Sequence, residues 1–211
     1  MLKHFKNVVY LFVLIGSSVC LANSYVDFFR SVNVDDAGTV KSLLARGFDP
    51  NTPDESGHVA LYLALRSEST KVVSVLIAHP GLKVDATNAA DETPLMMAAL
   101  RGQLDSTQRL LALGAAVNRA GWTPLHYAAS GPEPKVVALL LERGAVVDAP
   151  SPNRTTALMM AARYGSEDSV RLLRERGADL KARNELGLNA ADFARLGARE
   201  SLTRELEAAA K

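Results

Sequence analysis

The sequence has little of what disulfide scaffolds, thiol enzymes and iron–sulfur proteins require. Cysteine occurs once, at Cys20, and aromatic residues make up only 6% of the chain, with a single tryptophan. A chain without cysteine after position 20 excludes catalysis by a thiol, zinc sites built from thiolates, and iron–sulfur clusters. Its stability must therefore come from packing rather than from covalent cross-links.

An excess of charge of either sign is also missing. The chain carries 24 Lys and Arg residues against 23 Asp and Glu residues, a formal net charge of +1. Nucleic-acid binding needs a basic surface, so this balance argues against nucleic acid as a partner. No glycine-rich phosphate loop, Gly-x-Ser-x-Gly elbow or His-Glu-x-x-His helix occurs, and His58, His79 and His126 fall at different phases of the sequence. We predict no enzyme activity, no cofactor and no metal site.

Long hydrophobic runs are absent as well, apart from one short run near the start. Eight consecutive apolar residues, Val8 to Ile15, fall far short of the roughly 20 that a membrane-spanning helix needs. Lys3 and Lys6 precede this run, and small residues lead from it to Ala22, a pattern typical of an export signal. We predict a signal peptide over residues 1–22 and export, most simply to a bacterial periplasm. An uncleaved signal that tethers the protein to the inner membrane stays open as an alternative.

The sequence does contain a repeated phrase. Thr-Pro-Leu-Met-Met-Ala-Ala at 93–99 returns as Thr-Pro-Leu-His-Tyr-Ala-Ala at 123–129 and as Thr-Ala-Leu-Met-Met-Ala-Ala at 156–162, with weaker echoes near residues 59 and 189. A threonine caps a helix, and the proline after it suits the first helical position. Each phrase is followed by a leucine-rich stretch that ends at a glycine, the residue that most readily stops a helix. The pattern predicts consecutive pairs of helices.

This phrase resembles the ankyrin repeat, which is about 33 residues long and opens with Thr-Pro-Leu-His. The resemblance implies an all-α fold: an ankyrin-repeat solenoid of helix–turn–helix units with hairpin-like loops, about four full repeats plus two capping units. The predicted domain covers residues 23–211, and its units are 25–53, 54–87, 88–117, 118–150, 151–183 and 184–211. Thr93 and Thr123 are 30 residues apart, whereas Thr123 and Thr156 are 33 apart, so we expect a shortened loop between Asn118 and Trp122.

The resemblance also implies a function, because ankyrin repeats bind proteins along the loop tips and the exposed side of each first helix. We therefore predict a non-catalytic, monomeric binding module for an unidentified protein partner, with no stable membrane span once the signal is cleaved. The repeat register gives the candidate partner-binding residues Glu55, His58, Arg66, Glu92, Arg101, Arg119, Trp122, Asn153, Arg154, Arg163 and Tyr164. The fourth and fifth units are favoured, since tryptophan, tyrosine and arginine dominate binding hot spots.

Three residue types have more ordinary interpretations. In the family the histidine that corresponds to His126 hydrogen-bonds the adjoining loop, which implies a structural role, and Trp122 could simply cover its own loop. The pairs Met96–Met97 and Met159–Met160 occupy equivalent positions, which favours core packing. A protective or metal-handling role for their sulfur atoms is the alternative, and it requires exposed methionines.

Overall fold

The structure, a computed structural model, describes residues 23–211. The predicted signal peptide and its lysines lie outside the described residues. Over residues 23–211 the chain forms helices and loops without any strand, apart from an isolated bridge between Pro53 and Val59. The same part of the chain contains no helix with the length and apolar character needed to cross a membrane.

The described chain folds into twelve helices that follow one another in pairs, and the predicted all-α architecture of helix–turn–helix units is confirmed. The helices are α1 (residues 23–33), α2 (Ala37–Ala45), α3 (Ala60–Arg66), α4 (Thr70–Ile77), α5 (Pro94–Leu100), α6 (Leu104–Ala112), α7 (Pro124–Ser130), α8 (Pro134–Glu142), α9 (Ala157–Tyr164), α10 (Glu167–Glu175), α11 (Ala190–Leu196) and α12 (Glu200–Ala209).

These helices belong to two compact units, with the boundary between Leu82 and Lys83. The first unit contains α1 to α4 and buries Phe28, Leu61 and Leu76 completely or nearly so. Tyr25 donates a hydrogen bond to the backbone oxygen of Pro53 at 3.2 Å and so holds α1 against the loop that leads to α3. Apolar packing and one loop anchor therefore organise this unit.

In the second unit, the inner helices α5, α7, α9 and α11 pack side by side, and each pairs with the outer helix that follows it. The buried alanine pairs Ala98–Ala99, Ala128–Ala129 and Ala161–Ala162 are at most 1% exposed. Small side chains allow neighbouring helices to approach closely, while Leu110, Leu140 and Leu173 on the outer helices fill the core. This packing places the C-terminal ends of the inner helices in one row.

The inner helices of the second unit begin at capping residues. The side chain of Thr93 accepts a hydrogen bond from the N–H of Met96 at 3.2 Å, and Thr156 accepts one from Met159 at 3.4 Å. In return the sulfur atoms of Met96 and Met159 accept the backbone N–H of the two threonines, at 3.4 and 3.5 Å. Each of these methionines thus closes a capping box.

The burial of the methionines bears on the alternative role for their sulfur. Met96 and Met159 are 1% exposed and Met97 is 6% exposed, so core packing is confirmed for three of the four. A protective or metal-handling role would require exposed sulfur atoms, and the burial of these three methionines contradicts that requirement. Among residues 23–211 no group of three or more His, Cys, Asp or Glu side chains is arranged to hold a metal ion.

The inner helices α7, α9 and α11 end at glycines that lie against the preceding inner helix. A Cβ atom on Gly131 would stand 2.8 Å from the backbone oxygen of Leu100, and one on Gly197 would stand 2.7 Å from that of Arg163. At Gly165 the backbone oxygen of Ala129 is closer still. Any side chain at these positions would push neighbouring repeats apart.

The loops of the second unit are joined at their bases. Asp85 accepts a hydrogen bond from the N–H of Ala116 at 3.1 Å, Asn118 accepts one from Val146 at 2.9 Å, and Asp148 accepts one from Asp179 at 3.1 Å. One polar side chain therefore connects each loop to the next.

Candidate partner-binding site

Side chains from α5, α7 and α9, with the residue that precedes the cap of α7, line an open pocket of about 310 Å³ in the second unit. Its lining is almost entirely apolar or aromatic and consists of Leu100, Trp122, His126, Tyr127, Ser130, Met160 and Tyr164. Concave apolar sites with a few polar groups are where proteins bind ligands and partner side chains. We therefore take this pocket as the candidate site.

His126 forms part of the pocket lining and is only 1% exposed. Burial lowers the pKa of its imidazole below the usual value of 6.5, so the ring is neutral at pH 7. Its Nε2–H donates to the backbone oxygen of Thr155 at 2.9 Å, and its Nδ1 accepts the N–H of Thr123 at 3.2 Å. The predicted structural role of His126 is confirmed, and the pocket gains no charge from this ring.

Trp122 and Tyr127 supply the aromatic walls. The Trp122 indole meets the His126 ring edge-on, with 5.3 Å between the ring centroids. The Tyr127 hydroxyl donates to Oε1 of Glu92 at 2.9 Å, which leaves the rest of its ring to the pocket. Trp122 thus packs against its own repeat, as its ordinary interpretation requires, and also lines the pocket.

Tyr164 lines the pocket, and Arg163 lies against the ring of this tyrosine. The Tyr164 side chain is 56% exposed, and the guanidinium carbon of Arg163 lies 4.9 Å from the centroid of its ring. Arg163 is the seventh residue of α9, the position that Leu100 holds in α5 and Ser130 holds in α7. In the described part of the chain no carboxylate pairs with Arg163.

Three other predicted residues form contacts within or between the loops. Arg119 donates to the backbone oxygen of Asp91 at 2.8 Å and to its carboxylate at 2.6 Å, so this side chain bridges two loop tips. Glu92 accepts a hydrogen bond from Asn88 at 2.7 Å. Asn153 accepts one from Ser151 at 2.6 Å. The structure shows these side chains stabilising loops beside the pocket.

Arg154 and Arg101 are exposed, the first in the loop before α9 and the second directly after α5. Arg154 has a backbone φ of 63°, in the left-handed region, at a loop position where Gly121 and Gly187 stand in the neighbouring repeats. Its side chain forms no hydrogen bond or ion pair with any described residue. Asp91 has the same left-handed φ, 61°, at the equivalent position, so this conformation belongs to the turn of the repeat. Arg101 follows the end of α5 as its C-cap residue.

The remaining predicted residues belong to the first unit. Glu55 and Arg66 are exposed there, in the loop before α3 and at its last residue. His58, another predicted partner-binding residue, lies in the same loop before α3. The His58 ring is half-buried, stacks on Tyr62 with 5.3 Å between centroids, and lies 3.3 Å from a carboxylate oxygen of Asp54.

Sequence reasoning left Tyr127 and Met160 out of the site. Both are the fourth residue of an inner helix, where every inner helix of the second unit has a large side chain. The signal that could have revealed them is Ser130, a small residue between Leu100 and Arg163 at equivalent positions. One small side chain in a row of large ones leaves a gap that the residues around it line.

Comparison with known proteins identifies the repeat. Ankyrin repeats, described as three copies, match residues 29–120 and 95–184, which together make up well over half of the chain. The protein therefore belongs to the ankyrin-repeat family, whose members are typically non-catalytic binding modules that mediate protein–protein interaction. The predicted ankyrin-repeat fold is confirmed.

Two curated relatives illustrate how much of each protein is shared. The chain is 31% identical over 155 residues to the nuclear factor NF-kappa-B p105 subunit of Gallus gallus, a match that covers 70% of this chain and 16% of that protein. It is 43% identical over 97 residues to neurogenic locus notch homolog protein 4 of Homo sapiens, covering 44% of this chain and 5% of that protein. The chain thus spans only a small part of these relatives.

A solved structure contains a chain that is similar to this protein over nearly its whole length. This chain superposes with a TM-score of 0.73 and 25% identity on a chain in the structure of the Bd0816 predatory endopeptidase from Bdellovibrio bacteriovorus in complex with immunity protein Bd3460. The match covers 86% of this chain and 97% of that chain. The similar chain therefore comes from a complex between an enzyme and a second protein.

Proposed function

We propose that this protein is a non-catalytic module that binds a partner protein through the ends of α5, α7 and α9 and the loops before them. The observation that carries the proposal is the apolar pocket of about 310 Å³ between these helices. Trp122 and Tyr164 line it, and Arg154 and Arg163 stand nearby in sequence without an ionic partner among the described residues. Such aromatic and arginine residues are the ones that contribute most to protein binding.

The partner that fits best is an enzyme whose activity or stability the module controls. Support comes from the similar chain that occurs in a complex of an endopeptidase with an immunity protein. Ankyrin repeats serve many partners, and crosslinking in living cells identifies this one.

Export to the periplasm is part of the proposal. Lys3, Lys6 and the run from Val8 to Ile15 support a signal peptide that is removed after Ala22. Intact-mass measurement of the protein recovered from its own cells tests this directly. A mature N-terminus at Asn23 is the expected result, whereas a retained leader in the membrane fraction would favour the tethered alternative.

A crosslinking experiment tests partner binding at this face. We would replace Tyr164 by a photoreactive phenylalanine derivative, irradiate living cells of the producing organism, and identify adducts by mass spectrometry. The matched control carries the same residue at Lys135, an exposed position on outer helix α8. We expect one defined protein adduct from position 164 and none from position 135.

Two outcomes of this experiment would count against the proposal. Equal adducts from both positions would show that the crosslink does not report a specific face. The absence of any adduct from position 164, with the variant present at normal levels, would show that no protein occupies this face.

A further inference from the structure

The pocket has features that specify what kind of partner segment it would take. A cavity of about 150 Å³ is enough to hold benzene, so about 310 Å³ holds an aromatic side chain together with part of its backbone. The lining residues Leu100, Trp122, Met160 and Tyr164 present apolar or aromatic surface. Only a large apolar side chain would fill this space without leaving a polar group unpaired.

The charge around the pocket favours an acidic neighbour for that side chain. Two carboxylates on loop 88–92 are already satisfied: Asp91 pairs with Arg119 at 2.6 Å, and Glu92 accepts hydrogen bonds from Tyr127 and Asn88 at 2.9 and 2.7 Å. The guanidinium of Arg163 instead lies over the Tyr164 ring and faces no carboxylate among the described residues. Arg163, in contact with the pocket residue Tyr164, is therefore a cation that an incoming carboxylate can bind.

We infer that the pocket binds a segment of the partner in which a large aromatic or aliphatic side chain is followed or preceded by a carboxylate residue. The apolar side chain lies between Trp122, Met160 and Tyr164, and the carboxylate accepts hydrogen bonds from Arg163. This inference rests on the proposed function and names the chemistry of the partner segment. Arg163 is thereby assigned as the residue that selects acidic segments.

Trp122 provides the measurement, since it is the one tryptophan of the chain and lines the pocket. The probes are three blocked dipeptides: acetyl-phenylalanyl-glutamate amide, the same peptide with glutamine, and the same peptide with alanine in place of phenylalanine. Titration at low salt follows indole emission, and affinities near the millimolar range are expected for ligands this small.

The expected result has two parts. The phenylalanine–glutamate peptide changes the emission saturably, and the alanine–glutamate peptide does not. The glutamine version binds about three- to fivefold more weakly, the range of a partly exposed ion pair. In the variant Arg163→Gln this preference for glutamate disappears, while the glutamine peptide binds as it does to the wild type.

Arg171→Gln is the matched control, because Arg171 lies on outer helix α10 and pairs with Asp168. It removes the same charge and is expected to keep the preference for glutamate. Loss of the preference in both variants would reveal a general charge effect and overturn the role of Arg163. No saturable change with either phenylalanine peptide would overturn the pocket assignment.

The crosslink at position 164 separates this inference from the proposed function. If the crosslink forms while the dipeptides fail to bind, the partner-binding proposal stands and the pocket inference is wrong. If the dipeptides bind as expected while no crosslink forms, the proposed function is wrong. Sedimentation at the titration concentrations tests a second copy of the chain as occupant, and a dimer that the phenylalanine–glutamate peptide dissociates would overturn a heterologous partner.

Discussion

The inner helices of the second unit differ in what their two ends tolerate. At the N-terminal end, α5 and α9 have Met96 and Met159 where α7 has His126, and a thioether sulfur or an imidazole nitrogen accepts the same backbone N–H. At the C-terminal end, α7, α9 and α11 all finish at a glycine that touches the helix before it. Hydrogen bonding determines which residues suit the N-terminal end, and steric fit determines which residue suits the C-terminal end.

This difference explains which positions can vary without loss of the fold. A hydrogen-bond acceptor can be supplied by several side chains, so the start of the helix accepts substitution. A close approach of two backbones leaves room for a hydrogen atom only. His126 does more than the methionines, because its second nitrogen donates to Thr155 in the loop before α9. Two substitutions and a pH series test this comparison.

The largest effect is expected for Gly165→Ala. The φ of Gly165 is −87°, an ordinary value, so the cost arises from the contact of the new methyl group with the backbone of Ala129. We expect a loss of about 3 kcal/mol in the free energy of unfolding, measured by urea denaturation. Gly38→Ala on α2 is the control, where the new Cβ finds only an ordinary 3.4 Å contact, and a similar loss in both variants would contradict the steric explanation.

The next effect is expected for His126→Met, which converts the start of α7 into that of α5 and α9. The sulfur can accept the N–H of Thr123, but the buried backbone oxygen of Thr155 then loses its hydrogen bond from Nε2 and keeps only the one from the N–H of Ser151 at 3.0 Å. The free energy of unfolding should fall by about 1 kcal/mol in urea at pH 7.5, the net contribution of one hydrogen bond. Met160→Leu controls for replacing a side chain beside the pocket, and a neutral His126→Met variant would show that the bond to Thr155 adds no net stability.

The smallest effect is a dependence of stability on pH. Of the starts of α5, α7 and α9, only that of α7 can have it, because His126 can take up a proton and a methionine cannot. Because burial lowers the pKa of His126 in the folded protein, the unfolded chain binds a proton more readily as the pH falls below about 6.5. The contribution of a neutral His126 is therefore complete above that pH and diminishes below it. Urea unfolding at pH 7.5, 6.0 and 5.0 should show the wild type approaching His126→Met in stability, and a constant difference between them would disprove it.

Much of the fold could be predicted from the sequence because its determinants are local. Thr93, Pro94 and the alanine pairs specify where an inner helix begins and how closely it packs, and the structure has these features. Repetition then supplies the tertiary contacts, since each unit packs on a copy of itself. The same regularity predicted the burial of Met96 and Met159.

The site was harder to predict because it depends on contacts between repeats. Arg119 is of a residue type that is frequent in binding sites, yet its side chain pairs with Asp91, 28 positions earlier in the same chain. His58 lies in a loop, yet its ring stacks on Tyr62 and contacts the carboxylate of Asp54. The pocket itself arises from one small residue, Ser130, between larger neighbours, which can be recognised only after the helices are aligned side by side.

The hydrogen bonds accepted by Asp85, Asn118 and Asp148 join neighbouring loops at their bases. The base and the tip of a loop therefore have different roles. The base keeps neighbouring loops in register, while the tip carries residues such as Arg154 that contribute nothing to that register. Selection can therefore change a tip residue such as Arg154 to follow a changing partner, and the scaffold beneath it keeps its shape throughout such change.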